Sequence, residues 1–415
     1  MGDRSVHAVV FDHKAVFRTD TREPHEGIAD LLEWLDGEGI RWVLLTTHPF
    51  DGPDHSARCG LPAPALHLAQ DDIPDRKKRG NAAWLTTAAQ RLGLRTNQLL
   101  MVGASQFDWY TSIHAGVMHV HAKWPQALYS GITSLTADRP DGVRGLVERH
   151  LLEEPVWAFE LDAPERGFRL RSLLLPDTVL PSSPGTTFTL KDIFTYGRTV
   201  LVGDQDARGI LLLRLLSSAY LDGSLPGSSL FCVYPSSSPG RVNAQLETYL
   251  EKAKVIVGAR YDTRDHLLVR ASRAVDTSLE RVNAKQQGRT PNVSIANQTH
   301  TVHVNPKHRR KVRGKTVVVF DDFTTDGTSV DWARLLLTEA GADRVIALTV
   351  GKYRKPHTFH TPRPGVAIDP YGPNTLGVDA FTTTSSSPGF GSGPADSLRN
   401  AFTKIIASGT HIAPH

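Results

Sequence analysis

The sequence predicts an α/β protein of two doubly wound domains, and three observations carry that reading. Apolar strand-like runs alternate with segments of helical period from residue 6 to about 121, and the same alternation resumes beyond Leu190. A Pro-punctuated stretch separates the two halves, and 415 residues are enough for two or three domains with their own cores.

In the first half, strands read at Val6–Phe11, Trp42–Thr46, Leu99–Val102 and Val117–His121. Between them, Ile28, Leu31, Leu32 and Leu35 recur at i, i+3, i+4, i+7, the stripe of a helix that covers a sheet, and a second helix reads from Asn81 to Leu92. Residues 1–150 are therefore one domain. Pro176, Pro181 and Pro184 punctuate the segment from Leu152 to about Gly185, so 151–189 reads as a linker. The second domain, 190–355, predicts a helix over Ile210–Tyr220, a strand at Ser229–Tyr234, a helix over Val242–Lys252 and a strand near Val255–Ala259. A hairpin strand at Thr299–Val304, strand Thr316–Phe320, helix Ser329–Ala340 and strand Arg344–Val350 complete it. Residues 356–415 read as an extension, with a flexible Ser/Thr/Gly linker over Thr382–Pro394 and a short helix over Asp396–Ala407.

Composition removes several classes of function. Hydrophobic residues make up 40% and charged residues 22%, which excludes global disorder. The longest central apolar run, Ile210–Leu216, is interrupted by Arg214 and falls far short of the ~20 residues of a membrane span. No secretory leader pattern precedes Val6, so a cytoplasmic protein is expected. Cys59 and Cys232 stand far apart, which leaves neither a disulfide framework nor a cysteine zinc site. The densest basic cluster, Lys307-His308-Arg309-Arg310-Lys311 with Arg313 and Lys315, has no interleaved aromatic on which bases would stack. It reads as a solvated turn, with nucleic acid the less favoured partner.

The sharpest signal lies at the end of the apolar run Val317–Phe320, where Asp321-Asp322-Phe323-Thr324-Thr325-Asp326-Gly327-Thr328-Ser329 leads into a helix. In an open α/β sheet, ligands bind at the carboxyl ends of strands, and a helix N-terminus offers free N–H groups to an anion. Adjacent carboxylates suit a pair of vicinal hydroxyls. The following loop suits a phosphate, with Thr324, Thr325, Thr328 and Ser329 as hydroxyl donors and Gly327 permitting close approach. A sugar 5-phosphate satisfies both. Upstream, the strand Ser229–Tyr234 ends in Pro235-Ser236-Ser237-Ser238-Pro239-Gly240-Arg241, whose hydroxyls and arginine suit a second anionic group.

These residues resemble the type I phosphoribosyltransferases, in particular the ComF-like branch. The resemblance implies that Asp321 and Asp322 meet the ribose hydroxyls of phosphoribosyl pyrophosphate (PRPP). It also implies that Thr324, Thr325, Gly327, Thr328 and Ser329 hold the 5-phosphate, and that Ser236, Ser237, Ser238 and Arg241 hold the diphosphate with Mg²⁺. A small-molecule nitrogen nucleophile would be the acceptor. In the family a mobile hairpin closes over the diphosphate, and the candidates for it here are Arg270, Arg273, Arg281, Lys285, Gln286, Gln287 and Arg289. Asp326 departs from the family pattern, which has Thr or Ser there, and places a negative charge beside the expected phosphate.

The first domain carries a second series: Asp12 ends the first strand, Thr46 the next, and Lys78 (or Lys77) and Asp108 follow. It resembles the haloacid dehalogenase (HAD) superfamily over residues 6–125. The resemblance implies Asp12 as nucleophile, Thr46 and Lys78 as phosphate ligands, and Asp12 with Asp108 on Mg²⁺. Lys14 stands where an acid catalyst belongs and Ala104 where a metal acid belongs, so weak or absent phosphatase activity is expected. A PRPP- or nucleotide-sensing protein without turnover is the alternative that Asp326, Lys14 and Ala104 admit.

Overall fold

The computed structural model describes residues 5–47, 52–125, 132, 134–274, 286 and 294–408. Its first half runs β1 (Ala8–Asp12), α1 (Ile28–Gly37), β2 (Arg41–Leu45), β3 (Leu66–Leu68), α2 (Ala83–Leu92), β4 (Leu99–Gly103), α3 (Gln106–Ala115), β5 (Met118–Ala122), β6 (Leu135–Ala137) and α4 (Pro140–His150). The six strands form one parallel sheet in the order β3-β2-β1-β4-β5-β6. The period-2 pleat sends Val9 and Phe11 into a cluster with Ile28, Leu31, Leu32 and Leu35 of α1, and Ala8 and Val10 into another with Trp84, Leu85 and Ala88 of α2. Each fully buried Leu or Ile of α1 contributes roughly 1.5–3 kcal/mol of transfer free energy. Strand order reverses between β1 and β4, which opens a crevice at their carboxyl ends.

The second half contains β7 (Phe159–Ala163), β8 (Phe168–Leu174), α5 (Ala207–Leu221), β9 (Leu230–Val233), α6 (Ala244–Ala253), β10 (Leu268–Arg270), β11 (Val302–Val304), β12 (Thr316–Thr324), α7 (Thr328–Glu339), β13 (Arg344–Lys352), β14 (His357–Pro362), β15 (Phe381–Ser386) and α8 (Gly393–Ser408). Its main sheet has the order β9-β12-β13-β8-β7, parallel except for the edge strand β7. Both faces are covered. Phe231, Val318 and Phe320 pack with Leu211, Leu215 and Leu250, whereas Cys232, Val317 and Val319 pack with Val330, Trp332 and Leu336.

Three expectations are corrected. The 151–189 segment is no linker: it supplies β7 and β8 to the second sheet and then a hairpin of Val179–Ser183 with Thr186–Thr189. Its prolines sit in turns and on a two-stranded edge, where a missing N–H is tolerated. Residues near Val255–Ala259 form a turn, and Arg260 makes an isolated bridge to Leu230. The Ser/Thr run of the expected C-terminal linker is strand β15, paired along its length with β14. Beyond it, the Gly391 N–H donates to the Ala158 carbonyl, the Phe390 ring lies 5.2 Å from Phe159, and α8 buries Leu398, Phe402 and Ile405. Composition misleads there because exposed threonines suit a two-stranded edge as well as a coil.

The halves are also less separate than the alternation implied. One apolar cluster runs from the first sheet through α5 to the second. The Tyr220 hydroxyl contacts the carbonyls of Thr96 (2.9 Å) and Leu99 (2.7 Å), and the Trp109 indole N–H donates to the Val255 carbonyl at 3.1 Å. Among the described residues, no helix is long and apolar enough to cross a membrane.

Candidate functional site

Strand β12 does not stop at Phe320. Its pairing with β13 continues through Asp321↔Thr349 and Phe323↔Gly351, so the acid pair lies on extended backbone at the strand's carboxyl end. Because β9 is the parallel neighbour, with Val233 opposite Phe320, the segment from Pro235 leaves the sheet beside Asp321. The structure therefore brings the two predicted loops together. The Ser236 N–H donates to the Arg241 carbonyl and Pro235 bridges Val242, which closes the serine loop into a tight turn. Ser236, Ser237 and Ser238 are half-buried, and Arg241 is exposed at the loop's edge.

Asn243 links the loops, and sequence reasoning missed it. Its Oδ1 caps α6 by accepting from the N–H groups of Gln245 (3.0 Å) and Leu246 (3.2 Å), while its Nδ2 donates to Asp322 at 3.2 Å. Its position before a helix was the available signal, and only the fold shows its second bond. Arg270, offered as a mobile-hairpin cation, is instead buried. Its guanidinium donates to the carbonyls of Ser236 and Pro235, to Gln298 and to Thr301, so it holds the serine loop from below. Arg273 and Gln286 are exposed, and Arg281, Lys285, Gln287 and Arg289 lie outside the described residues.

Burial, together with the adjacent Asp322 charge, pushes the Asp321 carboxyl well above the usual carboxylate range; burial also raises Asp322. The pair is thus poised to take hydroxyl or cationic partners that restore what desolvation removes. Past it, Thr324 is buried, and Thr325 and Ser329 are half-buried. The Asp326 carboxylate does not stand free beside an expected anion: it accepts from the Thr328 N–H (3.1 Å) and hydroxyl (2.9 Å), closing the first turn of α7. The Thr328 hydroxyl is correspondingly turned to Asp326 and away from the role expected of it.

Gly327 also has a different reason from the one expected. It has φ +85°, and a Cβ placed on it would come 2.0 Å from Nδ1 of His357. The residue is glycine because the buried His357 ring of β14 fills that space. Beneath the same loop, the buried Lys352 ammonium donates to the carbonyls of Thr325 and Lys355 and sits 4.6 Å from the Phe159 ring. Burial lowers Lys352 to about 8 despite the pull of Asp326.

The carboxyl end of the first sheet forms a second site. Asp12 ends β1 and accepts from the Lys14 N–H at 3.1 Å. Asp108, in the first turn of α3, is 1% exposed and accepts from the N–H (3.0 Å) and hydroxyl (2.7 Å) of Ser105. Lys77 and Lys78 are exposed, and the Thr46 hydroxyl lies 3.0 Å from Nε2 of His67. Arg79 turns inward instead, its side chain 8% exposed, and its Nη2 donates to both Asp12 (3.2 Å) and Asp108. Four consecutive cations, Arg76 to Arg79, hid it, because sequence alone does not say which one faces the sheet. Burial and the Asp108 charge raise Asp12 to about 7, against the pull of Arg79. A cavity of about 950 Å³ opens beside this site, lined by Lys14, Ala104, Trp124 and Arg139 among others.

No protein-family model matches the chain, and no curated protein matches it. Solved structures do. A HAD-superfamily hydrolase of subfamily IA from Geobacter sulfurreducens PCA is 13% identical over 35% of this chain and 98% of its own, with TM-score 0.28. An uncharacterized protein from Listeria monocytogenes serotype 4b is 12% identical over 34% of this chain and 99% of its own, with TM-score 0.29. The cobalt-bound deoxy-D-mannose-octulosonate 8-phosphate phosphatase from Haemophilus influenzae is 13% identical over 29% and 70%, with TM-score 0.23. At these identities and scores the likenesses assign neither family nor activity to this chain.

Proposed function

We propose that the chain is a PRPP-dependent phosphoribosyltransferase that takes PRPP as its Mg²⁺ complex and transfers the 5-phosphoribosyl group to a nitrogen nucleophile resembling a nucleobase. One observation carries this reading: the half-buried acid pair Asp321-Asp322, the loop leading to the N-terminus of α7 and the serine loop Ser236–Ser238 stand side by side at the carboxyl ends of adjacent parallel strands. In the proposed step the C1–O bond to diphosphate breaks, the electron pair leaves with the diphosphate, and the nitrogen attacks the cationic C1 and gives up its proton to the departing diphosphate. Asp321 and Asp322 orient the ribose through its 2- and 3-hydroxyls. The N–H groups at the start of α7, with Thr325 and Ser329, bind the 5-phosphate. Ser236–Ser238 and Arg241 take the charge that develops on the leaving group, an electrostatic contribution that grows along the reaction. Asn243 holds Asp322 against the serine loop, and Arg270 keeps that loop in shape. The first domain accompanies this activity as a weak or inactive phosphatase-like unit, and the protein acts in nucleotide salvage or specialised nucleotide metabolism in the cytoplasm.

Calorimetry with PRPP and Mg²⁺ tests the reading. Charge-assisted hydrogen bonds are worth about 1.5–3 kcal/mol each, so replacing both Asp321 and Asp322 by Asn should weaken binding at least tenfold while the fold survives. No detectable binding by folded wild type at millimolar PRPP would overturn it. Binding without diphosphate release in any pool of small-molecule acceptors would make the protein a sensor.

A further inference from the structure

The pair of acids at the end of the first sheet invites a divalent cation, and the residues around it do not fit one. Mg²⁺ requires near-octahedral oxygen coordination at about 2.0–2.1 Å. Here Asp12 and Asp108 are the two acidic side chains that the resemblance leaves for it, since Ala104 supplies no oxygen from its side chain. Among the described residues, no group of three or more His, Cys, Asp or Glu side chains is placed to hold a metal. The space between the two carboxylates is already filled: Nη2 of Arg79 hydrogen-bonds Oδ1 of Asp12 at 3.2 Å and Oδ1 of Asp108. A metal bridging the same two oxygens would overlap that nitrogen.

The arrangement around Arg79 is built rather than incidental. Its side chain is 8% exposed, and its guanidinium lies 4.9 Å over the Trp84 ring of α2. The next residue, Gly80, takes φ +98° and its N–H donates to the Thr111 hydroxyl at 2.7 Å, so α3 ties down the turn that delivers Arg79. Asp108 is held in turn by Ser105. Lys14 lines the adjoining cavity and adds a second positive charge beside Asp12.

We propose that Arg79 is a built-in cation occupying the divalent-metal position of this domain, so that the Asp12–Asp108 site is complete without metal and does not bind Mg²⁺. One guanidinium charge replaces two on the ion. The site consequently lacks the Lewis acid that would neutralise a phosphoryl group facing Asp12. The inference is independent of the PRPP reading, because it concerns the other sheet and its test omits PRPP.

Mn²⁺ titration of the full chain, with free Mn²⁺ read by electron paramagnetic resonance, decides the matter. Wild type should show no Mn²⁺ site up to 1 mM that is lost on Asp108→Asn. Arg79→Ala should uncover one, at least tenfold tighter than any binding by wild type and abolished by adding Asp108→Asn. Should Arg79→Ala fail to fold in metal-free buffer, Arg79→Gln, which keeps most of the side chain's bulk, takes its place in the same titration. A wild-type Mn²⁺ site that disappears with Asp108→Asn would overturn the proposal, as would a folded Arg79→Ala or Arg79→Gln protein that binds Mn²⁺ no better than wild type.

Discussion

Replacing Gly327 by Ala isolates the contact that shapes the loop before α7. Two costs add. An L-residue at φ +85° occupies the left-handed region, at about 1–2 kcal/mol. The new methyl would also stand 2.0 Å from Nδ1 and 2.4 Å from Cε1 of His357, and overpacking of this kind costs about 1–3 kcal/mol as ring and backbone shift apart. The sum, about 2–5 kcal/mol, is a large share of the 5–15 kcal/mol by which a domain is usually stable. The two parts separate in a double-mutant cycle with His357→Ala. Removing the ring abolishes the clash and leaves the backbone term, so Gly327→Ala should cost only about 1–2 kcal/mol in that background. Urea unfolding followed by circular dichroism and tryptophan fluorescence measures all four proteins. An equal cost in both backgrounds would show that His357 is not what excludes a side chain at 327. A cost below about 0.5 kcal/mol in wild type would refute the strain as well.

Asp331→Ala should cost about 3–5 kcal/mol by urea unfolding, because it strands the buried Arg334, whose Nε donates to Asp331 at 2.7 Å, and frees the His360 N–H of β14, now bonded at 2.6 Å; a loss under 1 kcal/mol would contradict this. Phe402→Ala should cost about 3–5 kcal/mol, since the ring is fully buried in α8 and stacks 6.0 Å from Phe188, whereas near-neutrality would restore the flexible C-terminal extension. For Lys352, burial lowers the folded ammonium to about 8 from 10.5, so between those values the unfolded chain holds the extra proton and stability rises with pH. The unfolding free energy of wild type relative to Lys352→Met should therefore increase from pH 8 to 10.5, and a flat difference would place the ammonium in water.

Much of the architecture was legible because it follows from local chemistry. Fully apolar runs such as Val317–Phe320 and Val9–Phe11 have no stable place except between covering layers, and the stripe of Ile28, Leu31, Leu32 and Leu35 has to face one of them. The strand-end positions of the acid pair and of the serine loop were legible as well, because a fully apolar run leads directly into each. What sequence could not supply was direction and distance. It did not say that Arg79, rather than Lys77 or Lys78, points to Asp12 and Asp108 at the carboxyl end of the sheet. Nor did it say that Gly327 makes room for His357 from a strand 30 residues further along the chain. The prolines of 151–189 and the threonines of 382–386 read as irregular because edge strands bury little, so their hydrophobic pattern is weak and their pairing is decided by partners remote in sequence. Side-chain chemistry is written residue by residue, whereas which charges meet and which spaces are filled depends on long-range packing, and that exists only once the sheets have formed.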